Sequence, residues 1–590
     1  MAQLFTPLLF ITWFALGAAV WSGAITPAIV HEDAIPRERT PILVFRHPLT
    51  RFALASSLCL PALAGCATAL PTATGGLPHV RFNLPGHLGS VDFPGESPDV
   101  GSTNPGSPAA PAPYKVDPPS VPDGATGIKV YVNDVIAPAS SYLLATNRNH
   151  TSDNFPNGQA KLEKLKELRP TWGAARYMYR IGHGPTDGRS DYGYMTGYHF
   201  EQCWDKNGGY PYDDLRNALK EANQLDAEQL HVVNFGTSDA QEAARYVSYL
   251  NNPSDSNRAA HPYPVQNAKY FELGNEISWS VVRGHDQYAA NDQQYAQRAK
   301  EFAQAMRAAS PTPIKIGAVA TTNSNWLGDG WSGGANTVKT ILQTMGNDVD
   351  FLIYHGYPSW PMKQDGNLMS LMAQNAWNDQ KLTSEIDPAI RQYETHPVFI
   401  ANTEFFTELY SDPSTARAMF GALYSADTVT LAFNHAMIIA NQFCFDHGDQ
   451  SDASFFVNDD PNRTTPIFAF QKMLAKNWGD TILRTEGQAI PTVHVSGNSA
   501  QIDMPKLAYT AARGANGHVY VMVTNRTSDS DVSSQVALGF RPSSVAAHVL
   551  KGSNGWTSGP GDAQETTRNV SLDGPLTFPA ASVTILEATP

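Results

Sequence analysis

Two glutamates are placed for chemistry. Glu276 closes the stretch Tyr270-Phe271-Glu272-Leu273-Gly274-Asn275-Glu276. Glu404 closes Pro397-Val398-Phe399-Ile400-Ala401-Asn402-Thr403-Glu404. Each stretch is an apolar, β-prone run that turns polar at its end, and Gly274 allows a tight turn before the first glutamate. A carboxylate at the C-terminal end of a parallel strand lies on the face where α/β barrels place reacting groups. Two such carboxylates in one pocket suit the cleavage of a glycosidic bond. One attacks the anomeric carbon as an anion, and the other protonates the leaving oxygen and later activates water. Either glutamate alone is as well explained as a helix cap or an ion-pair partner. Their pairing and spacing carry the chemical reading.

The elements that must position them form a β/α rhythm. Strands are predicted over Tyr142–Thr146, Ala175–Ile181, Gln229–Phe235, Tyr270–Asn275, Ile314–Val319, Val349–His355, Val398–Thr403 and Met437–Phe443, with helical patterns between them. Eight units of roughly 40 residues each fit a (β/α)8 TIM barrel, an α/β fold. Glu276 and Glu404 then end strands four and seven and share one mouth. After the barrel come short strands divided by Gly and Asn. The change of pattern is clear from about Val493, and it continues through Ala508–Ala512, Val519–Val523 and Ser582–Leu586. This predicts a C-terminal all-β sandwich. The strand Ile128–Val132 precedes the barrel and is expected to join that sandwich. The resulting division is 126–141 for the joining strand, 142–480 for the barrel and 481–590 for the sandwich.

The N-terminal part reads differently. Arg46 and Arg51 precede a largely apolar run from Phe52 to Leu60 and then Leu63-Ala64-Gly65-Cys66. Residues 1–66 therefore read as an export signal with a lipobox-like end, in which Cys66 becomes the lipidated N-terminus. A signal of ordinary length would begin near Val44. Residues 67–125 are rich in Pro, Gly and Ser and read as an extended linker. The expectation is an exported protein, either anchored through lipidated Cys66 or secreted.

Composition narrows the class further. The 590 residues carry a net charge of −14, which argues against a nucleic-acid partner. An acidic surface with 23 Tyr and 11 Trp suits a neutral oligo- or polysaccharide. Of four Cys, only Cys203 and Cys444 fall within the folded body, where export would permit them to pair. No Cys/His spacing of a metal site occurs, so neither a metal nor another cofactor is expected.

The residues now assembled resemble glycoside hydrolase clan A, most closely the family 51 α-L-arabinofuranosidases. Four stretches carry the likeness: Asn234-Phe235-Gly236-Thr237, Lys269 to Glu276 with its Gly-Asn-Glu, Asp350 to Pro358, and Thr465 to Asp480. The chain departs from the family at three places. Thr146 to His150 lacks the family's Glu-His, Thr403-Glu404-Phe405 replaces Asp-Glu-Trp, and Arg180-Ile181-Gly182-His183-Gly184 replaces Arg-x-Pro-Gly-Gly. The resemblance thus carries the chemistry further than the sugar, and the family 39 and family 79 types stay open. It implies Glu276 as acid/base and Glu404 as nucleophile of a retaining enzyme acting on plant-type polysaccharide or its side chains. It also allows an oligomer.

The reaction then assigns roles to the neighbours. Asn275 would bond the sugar 2-hydroxyl or cap a turn. Tyr357 would donate to Glu404 or pack at the rim. His355 would hold Glu276 or the substrate, or bond within the core. Arg180 would supply positive potential at Glu404 or form a structural ion pair. Asn234 and Gln442 are further candidates for touching sugar. Trp279 and Trp360, with Trp204, Trp326 and Trp331, are candidates for stacking on sugar faces or for loop packing. The cluster Asp446, Asp449, Asp452, Asp459 and Asp460 reads as a solvated acidic loop. The alternative of another class is a carbohydrate-binding barrel without catalysis, which hydrolysis of chromogenic sugars distinguishes.

Overall fold

A computed structural model describes residues 115–147, 157–181, 215–236, 238–262, 267–277, 291–321, 333–359, 361–364, 366–407, 413–444, 455–457 and 460–590. Strand β1 (Gly127–Pro138) comes first. Eight parallel strands then close a barrel in sequence order: β2 (Ala145–Asn147), β3 (Met178–Ile181), β4 (Glu228–Val233), β5 (Tyr270–Leu273), β6 (Lys315–Val319), β7 (Phe351–His355), β8 (Phe399–Phe405) and β9 (Ile439–Gln442). These overlap the eight predicted strands, and the fold is a (β/α)8 barrel with C-terminal antiparallel sheets. The strands are buried on both faces, so they read as apolar runs rather than as alternation. Met178, Leu230, Tyr270, Phe351, Ile353, Ala401 and Ile439 fill the lower barrel interior. The predicted start of the first strand is replaced by a 3-10 turn, Ser141–Leu143. The turn carries the Tyr142 ring into that interior, where it meets Tyr270 edge-on at 5.7 Å.

Two short hairpins follow the barrel, β10 (Phe456–Val457) with β11 (Asp460–Thr464), and β13 (Thr492–Ser496) with β14 (Gln501–Pro505). The large sheet takes β12 (Thr481–Gln488), β15 (Leu507–Arg513), β16 (Val519–Asn525), β17 (Val532–Ala537), β18 (Ser544–Lys551), β19 (Gln564–Asn569), β20 (Leu576–Phe578) and β21 (Ser582–Thr589). Its order is β19-β18-β21-β16-β15-β12-β1-β17-β20. Strand β1 sits inside it, antiparallel to β12 and parallel to β17. The C-terminal part of the sheet begins at Thr481, ahead of the visible change at Val493. The Val493 stretch belongs to a separate hairpin. Strand β12 escapes sequence reading because only Ile482 and Leu483 are fully buried along it, which leaves no period-2 signal. Of the linker, residues 115–125 dock on the sheet, where the Asp117 N–H donates to the Gly539 carbonyl at 2.9 Å. Gly539 has φ +73°, and a Cβ there would lie 2.0 Å from the Asp117 oxygen.

Strand β16 shows how the sheet meets the barrel. Val519, Val521 and Val523 face one apolar cluster within the sheet. Tyr520 and Met522 face the cluster that surrounds the barrel. A buried ion pair crosses the same boundary. Arg526, just past β16, donates twice to Asp427 at 2.9 and 2.6 Å, and Asp427 lies on the barrel helix Met419–Asn434. Arg526→Met leaves a buried carboxylate without its cation. It is expected to cost about 3–5 kcal/mol in chemical denaturation, with much of the loss recovered in the Arg526→Met/Asp427→Leu double variant. A loss under about 1 kcal/mol would show that the pair contributes little to holding sheet and barrel together.

The same helix ends at His435, whose ring bonds Asp387 at 2.8 Å and Asp379 at 2.9 Å. Burial opposes the charged ring, but the two carboxylates outweigh it and push the His435 pKa up to about 10. A raised folded pKa contributes stability fully below the unfolded value of about 6.5 and loses it as pH rises through the folded value. His435→Gln is therefore expected to lower Tm more at pH 6 than at pH 10. An equal loss at both would contradict the charge.

Candidate active site

The C-terminal ends of the barrel strands bring the polar residues together. Arg180 lies near the end of β3, Glu272 within β5, and Asn275 and Glu276 just beyond β5. His355 ends β7, with Tyr357 two residues further on, and Glu404 lies near the end of β8. Local backbone geometry aims the two glutamates. Gly274 has φ +84°, and a Cβ there would lie 2.5 Å from Ile277 and 2.9 Å from Phe235, so only glycine fits the turn. Glu276 itself adopts φ +53°, a conformation that costs a non-glycine residue about 1–2 kcal/mol. On β8 a bulge does the aiming. Ala401 faces the barrel interior, so strict alternation would turn Thr403 inward and Glu404 outward. The register gains one residue on β8 against both neighbours, between Tyr354 and His355 of β7 and between Ala440 and Gln442 of β9. The bulge returns Glu404 to the mouth.

An oxygen of Glu276, a ring nitrogen of His355 and an oxygen of Glu404 lie within 4.8 Å of one another. The two carboxyls have different partners. His355 Nδ1 and Glu276 Oε1 are 2.8 Å apart. Tyr357 donates its hydroxyl to Glu404 Oε1 at 2.6 Å, and Arg180 donates to Glu404 Oε2 at 3.1 Å. The guanidinium also donates to both oxygens of Glu272 at 2.9 and 2.8 Å, to Asn147 Oδ1 at 2.9 Å and to Asn275 Oδ1 at 2.6 Å.

Burial pushes the Glu276 pKa up, against the opposing pull of His355. For His355, burial lowers the pKa, but Glu404 and then Glu276 outweigh it and the net direction is up. Both directions favour a proton kept between the two groups. Burial, reinforced by Glu404, pushes the Tyr357 phenol well above its ordinary range, so Tyr357 remains a donor. One carboxyl is thus linked to a held proton, while the other receives an arginine and a phenol. Two like groups driven apart by their surroundings are the arrangement that acid/base and nucleophile roles require. Among the described residues this is also the one cluster of carboxylate and imidazole donors close enough to meet a cation. Arg180 already supplies a positive charge there.

The other sequence candidates are placed as follows. Asn275 is buried and bonded to Arg180. Asn234 is buried one residue beyond β4. Gln442 ends β9 and donates to the Phe405 and Phe443 carbonyls at 3.3 and 3.4 Å, and its Oε1 is buried without a protein partner. Trp279, Trp360, Trp204, Trp326 and Trp331 lie outside the described residues, as do Cys66, Cys203 and the acidic loop except Asp460. Cys444 is buried beyond β9. Sequence reasoning missed Glu272, Asn147 and Thr403. Thr403 approaches Glu272 at 3.4 Å, and Asn147 donates to the Thr403 carbonyl at 3.2 Å. A usable signal exists for Glu272: a carboxylate in mid-strand, between apolar neighbours, is rarely buried without a cation.

The fold, an eight-stranded barrel with appended C-terminal sheets, recurs among solved structures. The chain is similar to an α-L-arabinofuranosidase from Thermotoga maritima in an arabinose complex, with TM-score 0.60 and 16% identity, covering 79% of this chain and 100% of that one. It is similar to a family 51 α-L-arabinofuranosidase from Bifidobacterium longum, with TM-score 0.62 and 15% identity, covering 80% and 100%. It is also similar to a Paenibacillus polymyxa xyloglucanase of glycoside hydrolase family 44 with xyloglucan, with TM-score 0.53 and 13% identity, covering 79% and 99%. No protein-family profile and no curated protein sequence matches the chain. At these identities the likeness shows a shared fold, and it agrees with the resemblance to family 51 drawn from the motifs.

Proposed function

We propose that the protein is a retaining glycoside hydrolase with α-L-arabinofuranosidase-like action on plant-type polysaccharide or its side chains. The observation that carries this is the pair Glu276 and Glu404, close across one barrel mouth and held in unlike surroundings. Retaining enzymes keep their carboxyls about 5–5.5 Å apart, whereas inverting ones leave about 6.5–9.5 Å for a water. The close approach supports double displacement. Glu404 attacks the anomeric carbon as the leaving oxygen takes the proton of Glu276. The C–O bond to the aglycone breaks and a glycosyl-Glu404 ester forms. Glu276 then takes a proton from water, which displaces Glu404 with net retention. Glu276 thereby regains the proton it gave up; His355 holds the Glu276 carboxyl in place, and Arg180 and Tyr357 hold the Glu404 carboxylate in line.

A second reading within the same chemistry is endo action, supported by the likeness to the family 44 xyloglucanase. Hydrolysis of a panel of aryl glycosides and polysaccharides, with the first-formed anomer read by NMR, tests both. Arabinofuranoside cleavage with retention is expected. An inverted product removes the double-displacement reading, and shortening of polymers without monosaccharide release favours endo action. Anchoring at the cell envelope through lipidated Cys66 belongs to the same proposal. Mass spectrometry of the exported protein is expected to find a diacylglycerol-modified Cys66 as the first residue, and residues 1–65 still attached would refute it.

A further inference from the structure

The site holds one carboxylate more than double displacement uses. Glu272 is fully buried, and both its oxygens accept from Arg180, at 2.9 and 2.8 Å. Its Oε1 also lies 4.0 Å from His355 Nε2, on the side of the ring opposite the bond to Glu276. We infer that Glu272 is a positioning residue that neutralises Arg180 and thereby keeps the proton of the Glu276–His355 pair in place.

The argument is one of charge in a dry site. The groups that face the pair are Arg180 from β3, Glu272 from β5, Glu404 from β8, and Tyr357 beyond β7 with Cys444 near it. Arg180 and Glu404 alone sum to zero, so without Glu272 the proton is held only by the burial of Glu276 and by the Glu276 charge beside the ring. Glu272 makes the surroundings net negative, and its approach to His355 brings that charge directly to the ring. It also sets the direction of the guanidinium. With Nε and one terminal nitrogen fixed on Glu272, the remaining donors reach Glu404, Asn147 and Asn275. The use of the proton rests on the glycosidase reading, but its retention does not.

The test is an NMR titration of the full chain labelled with 15N-histidine, with the His355 signals assigned by their loss in His355→Asn. In Glu272→Gln the His355 midpoint is expected to fall by about one pH unit or more, the size of a unit charge removed at this distance in a partly screened interior. An unchanged midpoint in the folded variant overturns the inference. Because Glu272→Gln leaves Arg180 without its main partner and can fail to fold, the Glu272→Gln/Arg180→Gln double variant, which removes the buried pair together, is a second arm. Its midpoint is expected within about half a unit of wild type, since the two charges cancel at the ring. A rise of a unit or more overturns the inference, because Arg180 would then have acted on His355 uncompensated. The alkaline limb of kcat/KM on an aryl glycoside is expected to move with the midpoint in Glu272→Gln, whereas a merely structural role lowers activity at every pH. Absence of glycosidase activity in the wild type would remove the functional reading and leave the titration able to decide the role of Glu272.

Discussion

Glu404→Ala is expected to abolish turnover on every glycoside the wild type accepts, a loss of more than about four powers of ten. Without the carboxylate no covalent intermediate forms, and no other described carboxylate has the same position. Glu272 is held by Arg180, and Glu276 by His355. The space left beside Arg180 and Tyr357 is open to a small anion. Azide or formate is therefore expected to restore cleavage of activated aryl substrates. Azide would give a glycosyl azide of the anomeric configuration opposite to the substrate, because a single displacement replaces two. Residual turnover without added anion, in a variant whose melting matches wild type, would assign the nucleophile elsewhere.

Glu276→Ala is expected to separate the two half-reactions. It removes the proton donor and leaves the nucleophile, so substrates with good leaving groups, which need no protonation, still form the glycosyl-enzyme. Poor leaving groups are expected to lose about two to four powers of ten in kcat/KM. Breakdown of the intermediate lacks its base, so activated substrates should show a burst followed by slow turnover. The pH profile gives an independent reading. The raised Glu276 pKa means that the wild type loses its acid as pH rises through that value, and the variant should lack this alkaline limb on activated substrates. Equal loss on activated and unactivated substrates would mean that Glu276 is not the proton donor.

Much of this site is legible in the amino-acid sequence. An apolar run that turns polar at its end marks a strand terminus, and the β/α rhythm assigns such termini to one mouth. Arg180, His355 and Tyr357 stand out as polar residues at or just past strand ends. Which of its alternative partners each takes is not legible. His355 is within reach of three carboxylates but bonds Glu276 at 2.8 Å, while Glu404 is 3.8 Å and Glu272 4.0 Å away. Glu272 reads as one more residue of its strand, because a sequence does not tell which face of a doubly buried strand meets a cation.

The sequence by itself determined the barrel, the sandwich and the strand ends that carry Glu276 and Glu404, because apolar periodicity and turn residues are local properties of the chain. Only the tertiary structure decided where those glutamates point. By alternation alone Glu404 would face the outer helices, and the one-residue bulge against β7 and β9 is what turns it inward. The division of roles between two like carboxyls was also decided in three dimensions. It depends on Arg180 and Tyr357 meeting one and His355 the other, and those partners come from strands far apart in the chain. The partners of β1 within the sheet, β12 and β17, and the Arg526–Asp427 pair across the boundary have the same origin, although the sequence already assigned that strand to the sandwich. Contacts between distant segments are set by how the closed barrel and the sheet pack together, and no local pattern encodes them.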